Sequence, residues 1–284
     1  MPEGALPLLL QELGGIAQKA RQQGMRLIIG GGVGLLLRDR WVRTRGARTL
    51  RPYPSLRATT DLDVFLGAEI IADPVLMRRL REFLDELGYE PISGAEYYQF
   101  VKRMPAGSAL PVVKVDFLAA PPPGHDLMVD ERRIRPRGFR RLHAHVTPEA
   151  LTVEEGLVEV LIPSGSSRVG VMLPHPFSYV ILKLFAFRDR MDDQNKQLGR
   201  YHAFDIYTSV AMLTQGEFGE AREMCRRHEE SSELREARVI RGNFFSTETG
   251  LGVLRIREHL RETGVPEDLV DLDGFLLDLR DLLE

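Results

Sequence analysis

The chain has 284 residues, 43% of them hydrophobic and 28% charged, with a formal net charge of −3. That length buries a core and suits one large domain or two modest ones, and the composition excludes a disordered or collagen-like chain. A single cysteine, Cys225, excludes an internal disulfide framework. No apolar run reaches the ~20 residues of a membrane span and no signal-peptide core follows Met1, so a cytoplasmic protein is the default expectation. The small net charge hides an uneven distribution. Seven arginines lie between Arg38 and Arg57 with Trp41 and Tyr53 among them, Arg132, Arg133, Arg135, Arg137, Arg140 and Arg141 follow, and the end of the chain is acidic.

In chain order, apolar residues at helical spacing (Leu9, Leu13, Ile16, Ala20) predict a helix over Leu8 to Gln23, stopped by Gly24. Arg26 to Ile29 reads as a short buried strand entering the turn Gly30 to Gly34, after which helical spacing resumes at Leu35. The arginine-rich segment up to Ser55 contains Gly46, Pro52 and Pro54 and reads as an irregular excursion. Strands are expected at Thr60 to Leu66 and Pro111 to Leu118, with an amphipathic helix over Pro74 to Leu87 between them and a break at Pro121 to Gly124. Leu157 to Ile162 and Arg168 to Leu173 read as a hairpin with a five-residue connection. Beyond Pro176 the expectation is helical: Tyr179 to Arg190, His202 to Leu213, Phe218 to His228 and Pro266 to Leu283, the last with a leucine stripe. These elements predict an α+β fold, a mixed sheet flanked by helices over residues 1–175 and a helical region over 176–284.

The strongest constellation is Asp61-Leu-Asp-Val64 with Lys114-Val-Asp-Phe117. Side chains alternate along a strand, so Asp61 and Asp63 share one face, and Lys114 and Asp116 share another. If the strands are neighbours three carboxylates converge, at a repulsive cost of roughly 1–4 kcal/mol per close pair at surface-like dielectrics, which a divalent cation would offset. All-oxygen ligation favours magnesium or manganese. An amphipathic strand with a solvated acidic face is the plain alternative. The glycine run fits neither a dinucleotide fingerprint nor a P-loop, leaving a tight turn that opens a helix and exposes amides to phosphate. His143 and His145 share a strand face, but no third His or Cys stands at ligand spacing.

Four pieces of sequence resemble the nucleotidyltransferase superfamily related to DNA polymerase beta, and within it the AbiEii-type toxin group: Ile28 to Leu35, Arg57-x-Thr59-x-Asp61-x-Asp63, Lys114 to Phe117, and Lys183 to Arg190 with His202 to Tyr207. The resemblance implies a nucleotidyltransferase-type sheet. It implies transfer of a nucleoside monophosphate from an NTP to an acceptor hydroxyl such as a tRNA 3′ end or other RNA, and a toxin role with a cognate antitoxin protein. Asp61, Asp63 and Asp116 would hold Mg2+ or Mn2+, and Gly31, Gly32, Arg57, Thr59, Lys183 and Arg190 would bind the nucleotide, with Lys183 also catalytic. Two departures stand out: Gly32 and Asp61 are separated by the arginine-rich segment, and His202 replaces an acid, which leaves a role for Asp205 open. A small-molecule or protein acceptor, or a non-catalytic nucleotide-binding module, are the competing readings. The Arg38 to Arg57 segment offers phosphate contacts and stacking surfaces to RNA, or pairs with the acidic C-terminal helix.

Overall fold

The computed structural model describes residues 5–57, 59–122, 127–130 and 132–284. Ala58, the first four residues and the Pro123-Gly124 half of the expected break lie outside them. The chain divides into two compact units: residues 1–37, 58–148 and 153–174 form unit 1, and residues 38–57, 149–152 and 175–284 form unit 2.

Unit 1 is built on a mixed sheet. Its strands are β1 (Ile28–Ile29), β2 (Asp61–Phe65), β3 (Glu90–Pro91), β4 (Gln99–Arg103), β5 (Val112–Ala119), β6 (Leu127–Val129), β7 (Arg133–Pro136), β8 (Ala144–Val146), β9 (Val158–Ser164) and β10 (Ser167–Leu173). Among the described residues the order is β6-β7-β8-β5-β2-β1-β10-β9, with β4 also on β5 and β3 on β4. Pairings β1–β10, β2–β5 and β5–β8 are parallel. Helix α1 (Ala5–Gln22) packs on β9 and β10 through Leu9, Leu13, Ile16 and Ala20, all fully buried. After the short α3 (Ala68–Ile71), α4 (Pro74–Glu86) starts where Asp73 accepts from the amides of Val75 and Leu76 at 2.7 and 3.2 Å, with Pro74 in the first turn. The β9–β10 hairpin pairs Ser164 with Ser167, so its loop is Gly165-Ser166 and not five residues; the ladder continues through Pro163, whose missing amide suits an edge strand.

Helix α2 (Gly31–Thr44) begins at the glycine turn and carries on through Arg38, Arg40 and Arg43. The arginine-rich segment is therefore helical in its first third, because Leu35, Leu37, Arg38 and Val42 are buried along it; only residues 45–57 are irregular.

Unit 2 is helical: α5 (Pro176–Arg188), α6 (Arg200–Ala211), α7 (Gln215–Arg227), α8 (Ser232–Phe244), α9 (Leu251–Thr263) and α10 (Leu272–Leu283). The C-terminal helix starts at Leu272, six residues later than the leucine spacing suggests, because Asp271 caps it by accepting from the Gly274 amide at 2.9 Å. The core of unit 2 gathers Phe177, Phe187, Phe204, Tyr207, Phe245 and Phe275. Residues 45–57 are stitched to it: Leu50 N–H donates to the Leu213 carbonyl at 2.7 Å, and the Arg51 guanidinium pairs with Asp271 and with Asp278 at 2.7 Å. Arg38, 1% exposed, pairs with Glu217, which also closes the capping box of α7 with Thr214.

Candidate functional site

In unit 1, β2 and β5 are hydrogen-bonded neighbours, with Asp61 opposite Lys114 and Asp63 opposite Asp116. Leu62, Val64, Val113, Val115 and Phe117 are buried on the other face, so all four polar side chains lie on one partly exposed face. Asp116 Oδ2 accepts from Lys114 Nζ at 3.0 Å and from Gln99 Nε2 at 3.1 Å, while its Oδ1 is buried with no hydrogen-bond partner. Burial pushes the Asp116 carboxyl above its usual range; Lys114 pulls it back and Asp61 adds repulsion.

The glycine turn closes over the same carboxylates. Gly30 N–H donates to the Asp63 carbonyl at 2.9 Å. Gly31 has φ +57°, and a Cβ there would overlap the Asp63 carboxylate; a Cβ on Gly32 would come within 2.7 Å of Thr59 Cβ. The turn needs glycine because backbone is packed directly on Asp63 and Thr59. Asp61, Asp63, Asp116, Gly31, Gly32 and Thr59 thus share one region of unit 1. Among the described residues no group of three or more His, Cys, Asp or Glu side chains is gathered tightly enough to hold a metal ion as it stands. The Lys114 ammonium occupies the position of counter-ion to Asp116. The donors still suit a hard cation: they are all carboxylate oxygens, and one of them is buried without a partner.

Arg57, Lys183 and Arg190 lie in unit 2, and the first two meet at Asp205. Arg57 Nε and NH2 donate to its two oxygens at 2.9 and 2.8 Å, and Lys183 Nζ pairs with Oδ2 at 2.7 Å. Asp205 is 2% exposed. Burial alone would raise its pKa, but Lys183 and then Arg57 outweigh burial and hold it well below the usual carboxylate range. Two cations share one anion, so the cluster stays positive. Burial, then Lys183, and more weakly Arg190 and Arg57, depress the neighbouring His202 far below its ordinary value, keeping it neutral, and its Nδ1 is buried without a hydrogen bond. Arg190 NH1 donates to the Ala186 carbonyl at 3.3 Å. Arg57 and Arg200 both lie over the Tyr201 ring.

Lys183 therefore has its ammonium on a carboxylate. Sequence reasoning leaves Asp205 open, although one signal points to it: an aspartate amid Ala203, Phe204, Ile206 and Tyr207, on a helix buried from Ala203 to Ala211, must be paired. Gln99 escapes such reasoning, being on a strand with little alternation. The aromatic surfaces of the first arginine cluster are occupied, with Arg38 and Arg45 over Trp41, each 4.2 Å from the ring centroid, and Arg43 over Tyr53. Buried Cys225 lies beside Arg238 NH2 at 3.6 Å. No helix among the described residues is long and apolar enough to cross a membrane.

Compared with known proteins, the chain matches no family model and no curated protein. Among solved structures it is similar to an antigenic nucleotidyltransferase-like protein from Paracoccidioides brasiliensis, at 14% identity over 95% of this chain and 92% of that one, with a TM-score of 0.44. A likeness that distant identifies neither a family nor an activity for this chain.

Proposed function

We propose that unit 1 is a metal-dependent nucleotidyltransferase that moves a nucleoside monophosphate from an NTP to an acceptor hydroxyl on RNA. The observation that carries this reading is the register of β2 and β5, which sets Asp63 directly opposite Asp116 with Asp61 on the same face, under a glycine turn packed on Asp63. Asp61 and Asp63 would hold Mg2+ or Mn2+, and Asp116 would complete the set; the ion, when bound, supplies positive charge to the triphosphate and acidifies the acceptor hydroxyl. The chain's own residues do the rest. The amides of the Gly31-Gly32 turn, at the start of α2, meet triphosphate oxygens, and Thr59 lies against that turn. The acceptor oxygen forms its bond to the α-phosphorus in line with the breaking α–β anhydride, pyrophosphate leaves, and the hydroxyl proton passes to Asp116.

Within unit 2, Arg57, Lys183 and Arg190 form a proposed site for a phosphate-like anion, since the cluster keeps net positive charge after pairing with Asp205. The toxin role, with an antitoxin partner, rests on the sequence resemblance alone: expression should arrest growth, and Asp63→Asn should relieve the arrest.

The test incubates the protein with each labelled NTP, total RNA and Mg2+ or Mn2+, read on a denaturing gel. Label should enter an RNA band, and Asp63→Asn and Asp116→Asn should each reduce it at least 100-fold while melting as the wild type does. Undiminished transfer by both variants overturns the site, and label on a protein or small-molecule acceptor alone overturns the choice of RNA.

A further inference from the structure

The second arginine cluster lies on the same sheet face as the carboxylates. On β7, Arg133 and Arg135 alternate with buried Ile134 and Pro136. Arg133 is opposite His145 on β8, and His145 is opposite Leu118 on β5, two residues past Asp116. Cross-strand partners share a face, and strands lie about 4.8 Å apart, so the arginines sit two strands from the carboxylate row. Arg135 is opposite Met128 on β6.

Three adjoining cavities run along this edge. One of about 430 Å³ is lined by Tyr97, Tyr98, Arg132 and Arg133, one of about 320 Å³ by Tyr97, Arg133, Arg135, Arg140 and His143, and one of about 290 Å³ by Met128, Arg135, Arg137 and Arg140. They share lining residues and form one groove. Its cations are available: among the described residues Arg132, Arg135 and Arg140 pair with no carboxylate, and Arg133 has only the half-exposed Asp130 at 3.0 Å. Exposed ion pairs of that kind are worth about 0–1 kcal/mol and yield to a phosphate. Aromatic rings stand among the arginines. Tyr97, 39% exposed, stacks on His143 with centroids 4.5 Å apart and planes at 11°, Arg133 lies over the Tyr97 ring, and Tyr98 meets His145 at 5.3 Å.

We propose that this groove binds single-stranded RNA, phosphates on Arg132, Arg133, Arg135 and Arg140 and bases against Tyr97 and Tyr98, and that the bound strand is the acceptor. The choice of RNA and the last clause rest on the transfer reading. Cations alone would suit any polyanion, but aromatic rings among them select unpaired bases, which a duplex hides, the base taking the place of the Arg133 side chain over Tyr97. The choice of RNA over DNA follows the ribose hydroxyl that the transfer reading takes as acceptor. The first arginine segment is a poorer candidate, because Arg38, Arg51 and Arg57 are already paired with carboxylates.

The test is fluorescence anisotropy with a labelled single-stranded RNA across a KCl series, beside the same sequence as DNA, an RNA duplex and poly-glutamate. It is run without NTP or divalent ion, so a protein inert in transfer still reports on the groove. Arg133→Ala with Arg135→Ala should raise Kd at least 10-fold and flatten the log–log salt slope by about 1.4, for two lost phosphate contacts on a single strand. Tyr97→Ala should weaken binding about 5- to 100-fold with no change in slope. The exposed pair Arg132→Ala and Arg140→Ala gives the same readout should the first pair fail to fold. Unchanged Kd in folded variants, or preference for DNA, duplex or poly-glutamate over the single-stranded RNA, overturns the proposal.

Discussion

Replacing Asp205 by Asn leaves the size of the side chain and removes its charge. In the wild type that carboxylate accepts from Arg57 twice and from Lys183 once, at 2.7 to 2.9 Å, with Asp205 and Lys183 both buried. The variant takes the anion away from Lys183 and Arg57, and removing one partner of a buried ion pair costs about 3–5 kcal/mol. For a protein of this size that is a fall of roughly 10 °C in Tm. The wild-type carboxyl is held below its unfolded value near 3.9. Its contribution is therefore complete above about pH 4 and is lost only as pH falls through the depressed folded value, so the gap between wild type and variant should be flat from pH 5 to 8. Thermal and urea melts measure both points, with Lys183→Met/Asp205→Asn as the repair, since it removes the Lys183 cation as well and should recover part of the loss. A cost under 1 kcal/mol, a gap that narrows between pH 7 and 5, or a double variant no better than Asp205→Asn would refute this account of the cluster.

Gly31→Ala places a methyl group at φ +57° against the Asp63 carboxylate; it should cost about 1–2 kcal/mol in backbone strain and reduce transfer more than it reduces melting temperature, as seen by running both assays on one preparation. Arg38→Met should destabilise by about 3–5 kcal/mol by leaving Glu217 without its cation, whereas Arg79→Ala, whose pair with Glu82 is exposed, should change stability by less than about 1 kcal/mol; urea melts compare the two. His143 and His259 both have pKa values lowered to about 4, through burial first and then nearby arginines. Their unfolded forms take up protons below about pH 6.5 while the folded forms do not, so stability should fall as pH drops from about 6.5 to 4, by up to about 2.7 kcal/mol per pH unit for the pair. Urea titrations at several pH values should show that slope shrink in His143→Gln.

The parts of the fold legible in the sequence are those whose burial is one-sided. Alternation of Asp61, Leu62, Asp63 and Val64 with Lys114, Val115, Asp116 and Phe117 gives strand, face and partner together, because one slipped residue would bury the carboxylates. Strands β4, β6, β7 and β8 leave no such mark, since they are three to five residues long, and β4, β7 and β8 carry arginine or other polar residues where apolar ones would reveal them. Helices α8 and α9 are hard to read for a similar reason: Ser231 caps the first, but only Leu234, Ala237 and Ile240 are buried along it, a sparse apolar stripe between charges. The cluster at Asp205 depends on residue 57 reaching residue 205, a contact no local pattern specifies. The arginine segment departs from expectation at its start because Pro52 and Pro54 govern only the residues beyond Gly46, whereas Leu37 and Val42 hold the helix.

Strand β1 has two residues, and Ile28 pairs on one side with Phe65 and on the other with Met172. The sheet is therefore completed by a segment that leaves the ribosome long after the carboxylate strands have been made. Until the β9–β10 hairpin arrives, apolar β1 lacks that neighbour and is an open edge of the kind on which other chains template. A nascent or truncated chain ending near residue 150 would carry Asp61, Asp63 and Asp116 and still be a substrate for chaperones.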